Sequence, residues 1–135
     1  MERLKALIIS EYDDTSSFMK TALEEYNATS VNVVRSLSSG LMKFRTADYD
    51  LILISAADFS KETLELIKKI RDIEDRYKTC RCSIIVIAPN TNEGTVKRFI
   101  GNGASFLIKK PFSASTLKRR VAYSVKNPMP CYQTL

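Results

Sequence analysis

Residues 49–59, Tyr-Asp-Leu-Ile-Leu-Ile-Ser-Ala-Ala-Asp-Phe, constrain the fold of this chain more than any other stretch. Four consecutive aliphatic residues stand between a polar entry and a run of small residues. This pattern is typical of a strand buried on both faces, as the central strands of parallel sheets are. In open α/β sheets the ligand crevice lies outside the carboxyl ends of the strands. Residues 55–58 are therefore predicted to line any site that the fold contains.

Four further apolar runs alternate with helical patterns and predict an α/β fold. The strands are predicted at residues 4–9, 30–34, 49–55, 83–88 and 105–108. Five strands that alternate with five helices favour a parallel sheet with right-handed crossovers and helices on both faces. The flavodoxin-like order 2-1-3-4-5 puts the two most apolar strands, the third and fourth, inside. We predict one doubly wound domain over residues 1–126, with residues 127–135 as a tail or the start of a linker.

The helical patterns also predict helix starts and inward-facing side chains. N-caps are predicted at Asp14 or Thr15, at Thr91 or Asn92, and at Ser113 or Ser115. Apolar residues at helical spacing are predicted to enter the core, among them Phe18, Met19, Ala22, Leu23 and Tyr26 of the first helix and Val96, Phe99 and Ile100 of the fourth.

The absence of histidine excludes several kinds of site. The chain cannot contain a Ser-His-Asp triad, a Cys-His pair, an imidazole metal ligand or a phosphohistidine. Cys80, Cys82 and Cys131 match neither a disulfide framework nor a zinc site, and we interpret them as thiols without a metal or redox role. No apolar run approaches the roughly 18 residues needed to cross a bilayer, and no secretory pattern opens the sequence. We expect no membrane contact and a cytoplasmic location.

Two motifs resemble the receiver domain of response regulators. Residues 49–54 are similar to its third strand, which runs directly into the aspartate that accepts a phosphoryl group. Residues 103–112, Gly-Ala-Ser-Phe-Leu-Ile-Lys-Lys-Pro-Phe, are similar to the family's Gly-Ala … Lys-Pro-Phe block at the end of the fifth strand. The resemblance covers residues 4–125. It implies a CheY-like fold and a cis peptide bond between Lys110 and Pro111.

The resemblance also implies which positions would carry phosphoryl transfer. The acidic pair that holds magnesium falls on Ser10 and Glu11, and the acceptor aspartate falls on Ser55. The phosphoryl-binding hydroxyl falls on Ala88, and the lysine is retained as Lys110. We call these five residues the carboxyl-edge site.

A switching aromatic residue moves with the phosphoryl-binding hydroxyl in the family. Its position falls on Leu107 in this sequence. Phe106 is displaced by one residue and is therefore predicted to point to the opposite face of its strand.

The residues at the carboxyl-edge site indicate that the reaction is lost. A serine hydroxyl needs a base before it can attack, whereas a carboxylate is already ionised at pH 7. Magnesium is usually bound by one or two carboxylates together with water and phosphate oxygens, and Glu11 alone supplies too little charge. A Ser55–Lys110 dyad is disfavoured because no Gly-x-Ser-x-Gly elbow surrounds Ser55. We therefore predict no enzyme activity, no metal and no cofactor. Lys110 is expected to be a structural cation that is satisfied by Glu11 or a neighbouring aspartate and by carbonyls at the strand ends.

The net charge of +6 is distributed unevenly along the chain. Residues 1–75 carry 10 Lys and Arg against 14 Asp and Glu, whereas residues 76–135 carry 11 against 1. So many cations with one acid indicate complementarity to an acidic surface. Receivers usually offer partners the face made by the fourth helix, fifth strand and fifth helix. We call the six cations expected there the basic face: Lys97, Arg98, Lys109, Lys118, Arg119 and Arg120.

The sequence thus predicts a pseudo-receiver, a phosphorylation-independent module of signal transduction that binds an acidic surface of a signalling protein. Alternatives stay open. One is a nucleic-acid-binding adaptor that uses the basic second half, although the chain lacks a helix-turn-helix pattern. Another is a receiver that is phosphorylated on a displaced carboxylate, Asp58 or Asp50. Whether Asp13 or Asp14 rebuilds a metal site, and whether the chain forms a homodimer, are also left open.

Overall fold

One parallel sheet organises the molecule. In a computed structural model, residues 4–26, 28, 30–55, 61–77, 82–89 and 91–126 are described, apart from the side chain of Val125. The sheet order is β2-β1-β3-β4-β5, and every neighbouring pair is parallel. The predicted flavodoxin-like order is confirmed. The strands are β1 (Lys5–Ile9), β2 (Ser30–Val34), β3 (Leu51–Ser55), β4 (Ser83–Ala88) and β5 (Phe106–Lys109).

Each strand is followed by a helix, as the alternation predicts. The helices are α1 (Asp13–Glu25), α2 (Leu37–Thr46), α3 (Lys61–Tyr77), α4 (Glu93–Gly101) and α5 (Ala114–Lys126). None of the helices within the described residues is long and apolar enough to cross a membrane.

Alternation along the strands sends side chains into two separate core layers. Ile52, Ile54 and Val86 face a layer that also holds Leu64, Ile67, Ile70 and Phe99 of α3 and α4. Leu51, Leu53 and Ile85 face a second layer with Met19, Leu23, Leu117 and Val121 of α1 and α5. Every residue of β3 and β4 is buried. The continuous apolar runs are therefore explained by helices that cover both faces of the sheet.

Two of the predicted helix caps are confirmed and one is wrong. Asn92 accepts a hydrogen bond from the Thr95 N–H at 2.9 Å, and Ser113 accepts one from the Thr116 N–H at 3.0 Å. In contrast, α1 begins at Asp13 after Tyr12, which makes no side-chain cap. Asp13 and Asp14 therefore lie in the first helical turn, where the helix dipole favours negative charge.

Some apolar side chains predicted to be buried are exposed. Phe18 is 42% exposed and Ile100 is 44% exposed, and Tyr26 is only partly buried. The Phe18 ring packs edge-on against Phe112, with 5.5 Å between ring centroids. Helical spacing defines a stripe on each helix, but the sheet covers only the middle of that stripe. Side chains at its flank remain in solvent.

Several predictions fall outside the described residues. They concern Asp58, Cys80 and Cys131, together with the tail at residues 127–135. Cys82 is described and is a buried free thiol. Burial, followed by the neighbouring Glu74 carboxylate, raises the pKa of this thiol, which keeps it protonated.

Candidate functional site

Strand register brings most of the carboxyl-edge site together. Ile9 is paired with Ile54, so Ser10 follows β1 at the level of Ser55. Ser55 is in turn paired with Ile87, next to Ala88. The backbone N–H of Lys110 donates to the Ala88 carbonyl at 2.9 Å, which places Lys110 directly beyond the end of β4. Ser10, Ser55, Ala88 and Lys110 thus meet at one edge of the sheet, as the resemblance implies.

The two serines present neutral hydroxyls at this edge. Ser10 is 2% exposed, and its hydroxyl donates to the Tyr12 carbonyl at 3.3 Å. Ser55 is 9% exposed, and its hydroxyl is buried without a hydrogen-bond partner. Neither group carries charge at neutral pH. Among the described residues, no three carboxylate or thiol side chains converge to form a possible metal site.

The nearby carboxylates face solvent. Glu11, Asp13 and Asp14 are all exposed. Asp13 forms an exposed ion pair with Arg35 at 3.4 Å. Asp50 lies at the opposite edge of the sheet, where its carboxylate accepts a hydrogen bond from the Lys5 N–H at 2.9 Å. Asp50 is therefore badly placed to act together with Lys110.

Lys110 is half-buried and precedes a cis peptide bond to Pro111, as the resemblance implies. Desolvation lowers the pKa of its ammonium group below the ordinary value of 10.5. Lys110 forms no ion pair with Glu11, which is exposed, and the neighbouring Asp13 pairs with Arg35, so the predicted pairing with Glu11 is wrong.

The aliphatic residue at the switch position packs into the core. Leu107 contacts the layer that contains Ala88, whereas Phe106 packs on the opposite side of β5. This confirms the predicted opposite orientation of the two side chains. The Phe106 ring meets Tyr123 edge-on, with 5.3 Å between centroids. The Arg120 guanidinium lies over the same ring, 5.5 Å from its centroid.

The structure divides the basic face. Lys97 pairs with Glu93 at 3.1 Å, and Lys118 reaches across to Glu25 at the end of α1. Lys118 thus lies on the α1 side of α5, away from α4. Glu25 was not expected as a partner of Lys118, because the two residues are 93 positions apart in the sequence. Lys118 is partly buried, whereas the other five cations of the basic face are exposed, Lys97 together with its partner Glu93.

The structure also contains a buried ion pair that was not predicted from the sequence. Arg71 is 5% exposed and Glu74 is 1% exposed, and their side chains meet at 2.7 Å. Both positions continue the inward stripe of α3, four and seven residues after Ile67. That spacing was the available signal, because charged residues on an inward stripe require partners.

Comparisons with known proteins point to one fold. No protein-family model matches the sequence. A two-component response regulator from Clostridium difficile superposes with a TM-score of 0.80 at 22% identity, covering 93% of this chain and 98% of that one. The chain has the CheY-like receiver fold. An atypical orphan response regulator, described as having a phosphorylation-independent regulatory mechanism, shares this receiver fold at a TM-score of 0.77 and 19% identity, over 94% and 99% of the two chains.

One curated relative is similar in sequence over the receiver-like region. The nisin biosynthesis regulatory protein NisR of Lactococcus lactis subsp. lactis is 30% identical over 125 residues. The match covers 90% of this chain but only 50% of that protein. The chain therefore spans about half the length of the curated relative it matches.

Proposed function

We propose that this chain is a cytoplasmic pseudo-receiver of two-component signalling that acts through protein binding and not through phosphorylation. One observation carries the proposal. Where phosphoryl transfer on a receiver needs carboxylates and a hydroxyl, this chain has two hydroxyls and a methyl group, on Ser10, Ser55 and Ala88. The structural similarity to an atypical orphan response regulator, which is described as having a phosphorylation-independent mechanism, supports this proposal.

The chemistry of Ser55 is unsuited to the reaction. Its hydroxyl must lose a proton to attack phosphorus, and the chain has no histidine to accept it. Desolvation lowers the pKa of the Lys110 amine, but the Ser55 hydroxyl has no hydrogen-bond partner, so this amine is not in place to accept its proton. A phosphoserine would moreover be a stable ester and could not turn over as an acyl phosphate does.

Acetyl phosphate provides the direct test. The chain is incubated with acetyl phosphate and magnesium chloride, and its intact mass is measured alongside a response regulator that is known to be phosphorylated. We expect no phosphoryl adduct on this chain and no amide NMR shifts around Ser55 upon addition of beryllofluoride. A stoichiometric adduct that hydroxylamine removes would overturn the proposal, because it would identify an aspartyl phosphate on a displaced carboxylate.

We further propose that the basic face binds an acidic protein surface. Because Lys97 and Lys118 are paired with acids, we place the centre of binding at Lys109, Arg119 and Arg120, which are exposed. Tyr123 is 53% exposed beside Arg120 and offers an aromatic surface. Arginine and tyrosine are enriched in protein interfaces, and positive charge steers an acidic partner to its site.

Charge reversal tests the face. Poly-L-glutamate represents an acidic protein surface, and a short DNA duplex represents the nucleic-acid alternative. Arg119→Glu with Arg120→Glu should weaken poly-L-glutamate binding about tenfold or more, and salt should weaken the wild type. Lys68→Glu with Lys69→Glu is the matched control, because these lysines are exposed on α3, away from the face. An equal loss of poly-L-glutamate affinity in both double variants would refute a specific binding face. Tighter binding of the wild type to DNA than to poly-L-glutamate would favour the nucleic-acid-binding adaptor.

A further inference from the structure

The structure contains a buried charged cluster that the proposed interaction does not use directly. We call Arg71, Glu74, Cys82 and Gly103 the Arg–Glu cluster. Arg71 Nη1 donates to Glu74 Oε1 at 2.7 Å and to the Cys82 carbonyl at 2.8 Å. Glu74 Oε2 accepts the Cys82 N–H at 2.8 Å. Both charges are thus hydrogen-bonded, as burial requires.

The other side of the Arg71 guanidinium holds the turn between α4 and β5. Its Nε and Nη2 atoms donate to the Gly103 carbonyl at 3.0 and 2.8 Å. Gly103 has a φ of 114°, and a Cβ atom there would lie 2.7 Å from Arg71 Cγ. The turn is therefore shaped around the arginine side chain, and glycine is needed for both its backbone conformation and the close approach.

The cluster lies at the edge of the sheet opposite to the carboxyl-edge site. Cys82 immediately precedes β4, and Gly103 precedes β5 by three residues. The next residue after the turn, Ala104, donates its N–H to Phe99 of α4 at 2.9 Å, and Ser105 donates to Ile84 of β4 at 2.7 Å. Arg71 thus connects α3 to the point where α4 ends and β5 is about to begin.

We propose that Arg71 is a positioning residue that fixes the α4–β5 turn and, through it, the relative placement of α4 and β5 in the basic face. Glu74 holds the guanidinium in the required orientation. The face is then anchored from the amino edge of the sheet and needs no group at the carboxyl-edge site to set its shape. The part of this inference that concerns partner binding rests on the proposed function. The part that concerns the turn does not.

Arg71→Lys separates the turn contact from the buried charge. A lysine ammonium can still pair with Glu74, but it lacks the planar fork that gives two hydrogen bonds to one carbonyl. Amide hydrogen exchange of the full chain is compared at Gly103, Ala104 and Ser105 and at two core amides, Ile8 and Leu53. In Arg71→Lys the turn amides should exchange about tenfold faster relative to the core amides.

Leu23→Ala is the control for general destabilisation, because Leu23 is buried in the layer formed with α1 and α5. It should accelerate turn and core amides together. A turn-to-core ratio in Arg71→Lys that equals the wild type, or that changes as much in Leu23→Ala, would overturn the inference.

Binding supplies the second readout. Arg71→Lys should weaken poly-L-glutamate binding about threefold or more. Faster hydrogen exchange of the turn amides together with an unchanged affinity for poly-L-glutamate would overturn the positioning role. Arg119→Glu with Arg120→Glu should lose binding while the turn amides stay protected. If the wild type does not bind poly-L-glutamate, the proposed partner class fails, and hydrogen exchange alone still decides whether Arg71 fixes the turn.

Discussion

Removing the Arg71 guanidinium should destabilise this protein more than most single substitutions. Arg71→Met keeps much of the side-chain volume but deletes the hydrogen bonds to Gly103, Cys82 and Glu74. The Glu74 carboxylate, 1% exposed, then keeps its hydrogen bond from the Cys82 N–H but loses the positive charge that compensates it. Breaking a buried ion pair from one side costs about 3 to 5 kcal/mol, because an uncompensated charge stays buried.

This loss is a large share of the total stability, which is about 5 to 15 kcal/mol for a domain. The melting temperature should fall on the order of 10 to 20 °C. Urea denaturation followed by circular dichroism measures the change in the free energy of unfolding. Lys97→Met is the control, since it removes the exposed Lys97–Glu93 pair, and it should cost less than about 1 kcal/mol.

A double-mutant cycle tests the reason for the loss. Arg71→Met with Glu74→Leu leaves no charge in the Arg–Glu cluster, so the double variant should be no less stable than Arg71→Met alone. The coupling energy should be about 2 to 3 kcal/mol. Losses that simply add, or a loss in Arg71→Met as small as in the Lys97→Met control, would show that the buried charge is not what makes Arg71 important.

Three further substitutions test other contacts. Lys110→Met should raise the melting temperature at pH 7, because desolvation lowers the folded-state pKa of Lys110 and so penalises its charged form. That penalty is present below the lowered pKa and disappears as pH rises to the unfolded value of 10.5. The gain in melting temperature should therefore shrink over this range. A gain that is constant with pH would contradict desolvation as its cause. Gly103→Ala should cost about 1 to 3 kcal/mol through its positive φ and the contact with Arg71, and a neutral result in urea denaturation would contradict the close approach. Tyr49→Phe removes the 2.8 Å hydrogen bond to Asn32 and should cost about 1 kcal/mol, whereas an unchanged unfolding midpoint would mean that water replaces the hydroxyl without loss.

Much of the carboxyl-edge site could be derived from the sequence. Strand ends are local features, and parallel strands place their carboxyl ends at one edge, so Ser10, Ser55 and Ala88 had to be neighbours. The orientation of Leu107 and Phe106 followed from strand alternation in the same way. The pairing of Lys110 with Glu11 did not follow, because it depends on the direction taken by a side chain in the turn after β1.

Hydrophobic pattern and chain connection are local features of the sequence. They determine the order of strands, the two-sided burial of β3 and β4, and the edge of the sheet that carries the site. They do not determine which partner each charged side chain finds. Lys118 is neutralised by Glu25 from α1, and Arg71 is satisfied by Gly103, 32 residues away. These contacts exist only after helices pack on both faces of the sheet. Packing brings together residues that no local pattern relates, and it therefore decides which cations of the basic face remain available to a partner.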